Sequence, residues 1–201
     1  MQLPIDILLL TANDCEFLSC LSVVNAPYRM TYCEKLSYVF FCDIGGEGKL
    51  RYALAKCSKG ATTPGGAVVV VRNALEVLRP KTVFNVGFCG SMDKRKTKLG
   101  DIVVSAKLII YASTKVMGDG IQERGVRAPL GKHLPYLIRR AADNWKAPLN
   151  DREELDVKVH TDGLFMSGPE VVSNSERLNE LSKRFPDAIA IEMEGEGKAL
   201  T

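Results

Sequence analysis

Residues Ala188–Thr201 read AIAIEMEGEGKALT. An apolar run of strand character leads into three glutamates, Glu192, Glu194 and Glu196, which alternate with Met193 and Gly195. A carboxylate buried at a strand end is costly unless it is paired or hydrogen-bonded. Acids at this place therefore need a partner, and the rest of the chain should say which.

Working outward, apolar runs rich in β-branched residues and bounded by turn signals predict strands at Ile5–Leu10, Tyr38–Cys42, Thr82–Val86, Asp101–Tyr111, Gly163–Met166 and Ala188–Met193. Continuous rather than alternating apolar character is what strands covered on both faces show. Helices are predicted over Ala67–Leu78, His133–Trp145 and Ser175–Phe185. The first follows a Thr-Pro-Gly-Gly turn and stops at Arg79-Pro80. The last has Ser175 or Asn174 as its N-cap. Asp119–Arg127 and Ala147–Glu154 are polar and read as loops or flaps. Strands and helices alternate without repeat or linker, which predicts one α/β domain over residues 1–201 with a mostly parallel sheet.

The 201 residues are 46% hydrophobic, enough for a sizeable core. A net charge of +3 is too small to argue for nucleic acid, and the basic run Asp93–Lys98 reads as a solvated loop. No apolar run approaches the roughly 18 residues of a membrane span. The N-terminus has no basic region ahead of its apolar run, so it reads as a strand rather than a signal peptide. The six cysteines form no CxxC pair, and His133 and His160 stand alone, so no metal is expected. Free thiols and the absence of a glycosylation sequon favour a reducing, cytoplasmic setting.

Three stretches fall at predicted strand ends, where open α/β sheets gather their ligand sites. In LLLTANDCEF, Leu8–Phe17, the acids can simply complement a helix dipole. In FNVGFCGSMD, Phe84–Asp93, the glycines allow close backbone approach to a ligand, though a tight turn explains Gly87 and Gly90 equally well. The third is LFMSGPEVVSN, Leu164–Asn174, together with the glutamate cluster. One carboxylate there could accept hydrogen bonds from two neighbouring ribose hydroxyls.

Taken in order, TAND-CE, NVGFCGS, LGDIVVS, MSGPEVV and FPDAIAIEMEGEG resemble the purine nucleoside and uridine phosphorylase superfamily, which includes the methylthioadenosine/S-adenosylhomocysteine nucleosidases. The resemblance covers nearly the whole chain. It implies a three-layer αβα fold around a mixed, partly barrel-like sheet, usually oligomeric members, and cleavage of the bond between a base and ribose through an oxocarbenium-like transition state. No cofactor is implied. Glu194 matches the glutamate that grips the ribose hydroxyls, Met193 the residue packed on the sugar, and Glu192 a further glutamate of that motif. Phe88, Cys89 and Gly90 match the turn beside base and sugar. Val171 and Val172 stand where the family places an aromatic over the base and a backbone contact to its edge.

Phosphorylases of this kind carry an arginine and a serine for phosphate where this chain has Asn85 and Phe88. Neither supplies a charge-assisted contact. Glu16 matches the glutamate that positions or activates water in the nucleosidases. Hydrolysis of a purine nucleoside or nucleotide is therefore expected, with a phosphorylase and a catalytically impaired binding module as alternatives. An ATP-like substrate would need cations, for which Arg51, Lys56, Lys59, Arg72 and Lys94–Lys98 are candidates, although solvated surface explains most of them. The family carries a further strand whose aspartate protonates the base, and no residue before Thr201 matches it. The expectation is a fold lacking its last strand and helix, with activity reduced roughly 100- to 10,000-fold by loss of the general acid.

Overall fold

The computed structural model describes residues 4–23, 27–44, 49–118, 120–123, 125, 127–129, 131, 134–147 and 156–196. The chain forms two compact units, residues 1–88 with 193–201, and residues 89–192.

The first unit comprises β1 (Ile7–Thr11), α1 (Asp14–Val23), β2 (Arg29–Cys33), β3 (Ser37–Ile44), β4 (Leu50–Lys56), α2 (Ala67–Val77) and β5 (Thr82–Asn85). Its sheet runs β2-β3-β4-β1-β5. β1 is parallel to both β4 and β5, whereas β2, β3 and β4 pair antiparallel. The unbroken Leu8-Leu9-Leu10 run suits this central strand. Leu8 and Leu10 are fully buried in a core with Val39, Ala53, Ala55 and the stripe Ala67, Val70, Val71 and Ala74 of α2 with its C-cap Leu78. Four consecutive valines have modest helix propensity, and the burial of that stripe overrides it. Arg79, at φ 50°, and Pro80 end the helix. At the N-terminal ends of the parallel strands, Asp6 accepts hydrogen bonds from the Arg51 amide (2.9 Å) and Lys81 Nζ (2.7 Å).

The second unit comprises β6 (Gly90–Ser91), β7 (Ile102–Ile110), β8 (Thr114–Met117), β9 (Gly120–Glu123), β10 (Arg127–Pro129), α3 (Leu134–Arg139), β11 (Val159–Ser167), α4 (Ser175–Arg184) and β12 (Ala188–Glu192). The sheet runs β10-β7-β11-β12-β6, with β7, β11 and β12 mutually parallel and the two outer strands antiparallel. Leu181 and Phe185 of α4 and its C-cap pack on Met92, Ile109, Tyr111, Met166, Ala188 and Ile191. Gly163 lies where β11 shifts register, and a Cβ there would stand 2.7 Å from Val103 Cγ1. Asp101, at the start of β7, accepts from the Lys98 amide (2.9 Å), the Lys158 amide (3.1 Å) and His160 Nε2 (2.9 Å).

The expected α/β class holds, and all six predicted strands form. Both five-stranded sheets are mixed rather than mostly parallel, and each is open. Asn174, not Ser175, caps α4, its Oδ1 accepting from the Glu176 and Arg177 amides at 2.8 and 3.0 Å. Helix α3 stops at Arg139, short of the expected Trp145, because residues 140–144 continue as turns ending at Asn144 with φ 61°. His133 lies outside the described residues. The polar stretch read as a loop from Asp119 holds β9 and the start of β10, since backbone pairing to β8 and β7 compensates for weak β-propensity. Of the other expected loop, 148–154 lie outside the described residues.

Candidate active site

In the first unit the strand β1 runs into α1 at Ala12-Asn13, and Glu16 stands in the first helical turn. The residue is only 7% exposed. Oε2 accepts from the Ala12 and Asn13 amides at 3.0 and 2.8 Å. Oε1 accepts from Asn13 Nδ2 at 2.9 Å and from the Phe88 amide at 3.1 Å. The bond back to the Asn13 amide is the acid half of a capping box. The bond from Phe88 ties the helix start to the glycine turn that follows β5. Burial alone would raise the Glu16 pKa, but the side-chain and backbone donors of Asn13, then Phe88 and Ala12, outweigh it and hold the carboxyl below its ordinary value. Glu16 is thus a buried, ionised carboxylate with four donors. It is well placed to orient a neighbouring group and poorly matched to take a proton near neutral pH.

Gly87 explains how the glycine turn comes so close. A Cβ at that position would lie 2.9 Å from Glu16 Oε1 and 3.1 Å from its carboxyl carbon. The next residue, Phe88, is 74% exposed and presents an aromatic face at the same turn. Glu194 belongs to this unit too, and its Oε1 accepts from the Gly60 amide at 3.0 Å. Met193 beside it is half-buried. Lys56, at the end of β4, pairs with Asp14, whose carboxyl is lowered by that bond and further by Lys59. The Arg51 guanidinium lies 3.7 Å from Asp6 at the other end of the strands, away from the candidate polyphosphate contacts.

In the second unit the C-terminal ends of the parallel strands β7, β11 and β12 present Tyr111, Ser167-Gly168 and Glu192. The Gly168 amide donates to the Glu192 carbonyl at 3.2 Å, and a Cβ on Gly168 would fall 2.5 Å from the Tyr111 ring. Arg177 forks onto Glu170 at 2.9 and 2.8 Å. Burial, then the Glu170 carboxylate, pushes the Tyr111 hydroxyl up from its ordinary pKa. Desolvation, then Glu192, does the same to the Cys89 thiol. Val171 is exposed, whereas Val172 packs against the unit's core. Gly90 pairs with Ile191 in β12 and would bring a Cβ to 3.0 Å from its side chain. The basic loop is self-engaged: Arg95 forks onto Asp93, and Lys96 donates to the Pro186 carbonyl.

Among the described residues, the buried Thr11 Oγ1 and Asn85 Oδ1 at these strand ends have no hydrogen-bond partner. Such groups are rare and costly in a folded core. Among the described residues, no cluster of three His, Cys, Asp or Glu is arranged to hold a metal. Sequence reasoning missed Gly60, Tyr111 and the Arg177–Glu170 fork, and it named Gly87 without its contact to Glu16. For Glu16 the usable signal was the Asn13-x-x-Glu16 spacing of a capping box.

Open α/β sheets gather their ligand sites at the carboxyl ends of the strands, and in each unit that end carries a glutamate, Glu16 in the first and Glu192 in the second. The chain belongs to the phosphorylase superfamily, whose model matches residues 48–196. It is similar to a death domain-containing ATP nucleosidase of Amphimedon queenslandica, with 32% identity over 142 residues, 64% of this chain and 26% of that protein. It is also similar to a 5'-methylthioadenosine/S-adenosylhomocysteine nucleosidase of Staphylococcus epidermidis, with 26% identity over 157 residues, 77% of this chain and 64% of that one. The chain thus spans less than two thirds of either relative. Among solved structures, a futalosine hydrolase of Helicobacter pylori superposes with TM-score 0.71 at 19% identity, covering 98% of this chain and 77% of that one. A methylthioadenosine/S-adenosylhomocysteine nucleosidase of the same organism gives TM-score 0.73 at 20% identity, covering 99% and 79%. No helix among the described residues is long and apolar enough to cross a membrane.

Proposed function

We propose that this chain carries the sugar- and nucleophile-handling part of a purine nucleoside or nucleotide N-glycosidase that uses water. The observation that carries the reading is Glu16, a buried carboxylate kept ionised by four donors at the glycine turn. A fixed negative charge there repels phosphate and suits a neutral water, which it can orient. Asn85 and Phe88 supply no cation to offset it. Family membership and the nucleosidase relatives support the same reaction class.

Glu194 is the ribose residue, its carboxylate accepting from the sugar hydroxyls and countering positive charge as the glycosidic bond stretches. Met193 packs on the sugar, and Phe88 offers its ring at the turn. Glu192 is assigned to ribose, and Cys89, Gly90, Val171 and Val172 to the base, on motif position alone. The six free cysteines support a reducing, cytoplasmic setting. Exposed Met30, Tyr32 and Tyr38 on the edge hairpin β2–β3 support self-association. Sedimentation should then give a mass above 22.1 kDa, and a purely monomeric boundary would refute it.

The reaction is tested by incubating the protein with ATP, methylthioadenosine, adenosine and inosine, with and without phosphate, and following free base by chromatography. Release without phosphate is expected for at least one substrate, and Glu194→Gln should abolish it while leaving the circular dichroism spectrum unchanged. Release that requires phosphate, no release from any substrate, or full activity in Glu194→Gln would each contradict the proposal.

A further inference from the structure

The segment between β4 and α2 is closed by its own main chain. Ser58 N donates to Gly65 O at 2.8 Å, Gly66 N to Thr63 O at 2.8 Å, Ala67 N to Gly60 O at 3.3 Å, and Val68 N to Ala61 O at 3.0 Å. The first two amides of α2 are thereby taken by loop carbonyls. The Gly60 amide is directed instead to Glu194 Oε1, 3.0 Å away and 134 residues on in sequence.

Glycine is required at both ends of this loop. Gly60 has φ +87°, a conformation that L side chains rarely adopt, and a Cβ there would lie 3.2 Å from Thr63 Cγ2. Gly66 is enclosed more tightly still. Its added Cβ would stand 2.5 Å from the Gly60 carbonyl oxygen and 2.8 Å from those of Ala61 and Thr63. The Gly60 peptide is therefore clamped by backbone that a side chain cannot displace without opening the loop.

We propose that Gly60 is a positioning residue: its N–H fixes the Glu194 carboxylate in the orientation that accepts the ribose diol, and Gly66 holds the Gly60 peptide in place to do so. The proposal rests on the ribose role of Glu194 given above. A carboxylate has about four lone-pair positions. Committing one of them to a rigid backbone donor sets the rotation of the group and leaves it preorganised before the sugar arrives. The loop thus acts on the diol through Glu194 without touching the substrate itself.

The test reads the Gly60 amide in the proton–nitrogen NMR spectrum of the whole chain, in wild type and Glu194→Gln, with adenosine and 2′,3′-dideoxyadenosine as probes. The expected result is a Gly60 amide proton that shifts in Glu194→Gln and that moves with adenosine but not with the dideoxy compound. Gly60→Ala should lower adenosine affinity about tenfold or more and leave dideoxyadenosine affinity unchanged, a split that a merely structural lesion would not give. If Gly60→Ala does not fold, the wild-type titrations decide the matter alone. An unmoved Gly60 amide in Glu194→Gln overturns the anchor. A Gly60 amide that senses Glu194→Gln but answers both nucleosides equally, or neither, overturns the ribose role and leaves the reaction class to the base-release assay.

Discussion

Glu16 and Gly87 depend on one another. The carboxylate fills the space that a side chain at residue 87 would need, and the Phe88 amide reaches Glu16 because nothing intervenes. Gly87→Ala should destabilise the fold by about 1–3 kcal/mol, the usual cost of forcing atoms into a packed site. It should also reduce turnover by moving Glu16. Urea denaturation and the base-release assay check both effects, and a variant matching wild type in each would show that the contact yields freely. Glu194 was singled out in the sequence only through the family resemblance of its EMEG motif, and its ribose role is the proposal made above. The Gly60 amide that bonds it gave no signal at all, because no residue type announces a backbone donor. Gly87 was visible as a turn glycine, but its reason lies in a side chain 71 positions earlier.

At the scale of elements, Asp101 joins β7 to β11 at the end of the strands away from Tyr111 and Glu192. Burial opposes its charge, but the Lys98 amide, His160 and the Lys158 amide together lower its pKa to about 2. A depressed acid contributes stability above its unfolded value, near 3.9, and loses that contribution as pH falls through the folded value. Asp101→Asn should therefore cost about 2 kcal/mol at neutral pH, a difference that shrinks as pH falls from about 4 to about 2. Denaturation curves for both proteins across that range provide the check, and a pH-independent difference would refute it. Long buried strands and the boundaries of α2 were legible because continuous apolar runs and the Arg79-Pro80 stop report burial directly. β2 was not, since all but one of its five residues are exposed and its stabilisation comes from pairing with β3. β4 was hidden because Ala53 and Ala55, its fully buried residues, are small rather than β-branched. α3 was overextended because amphipathic spacing continues past Arg139, whereas the backbone turns.

Across the whole molecule, the family match from 48 to 196 runs through both compact units and takes in four of the five motifs, NVGFCGS, LGDIVVS, MSGPEVV and FPDAIAIEMEGEG up to Glu196, whereas TAND-CE with Glu16 precedes it. What sequence reasoning could not read was which strand-end groups are already spent on the fold. Arg51, Arg95 and Lys96, named as candidate polyphosphate contacts although solvated surface explained most of that set, are engaged with Asp6, Asp93 and the Pro186 carbonyl. Glu16, expected to position or activate water, is held as an ionised, multiply bonded carboxylate, which favours positioning. The central claim, that water rather than phosphate attacks the sugar, is tested most directly by turnover in heavy-oxygen-labelled water with ample unlabelled phosphate present. The account predicts free sugar, or free sugar phosphate from a nucleotide, carrying the heavy oxygen at its anomeric carbon. An unlabelled sugar 1-phosphate as the main product would contradict it.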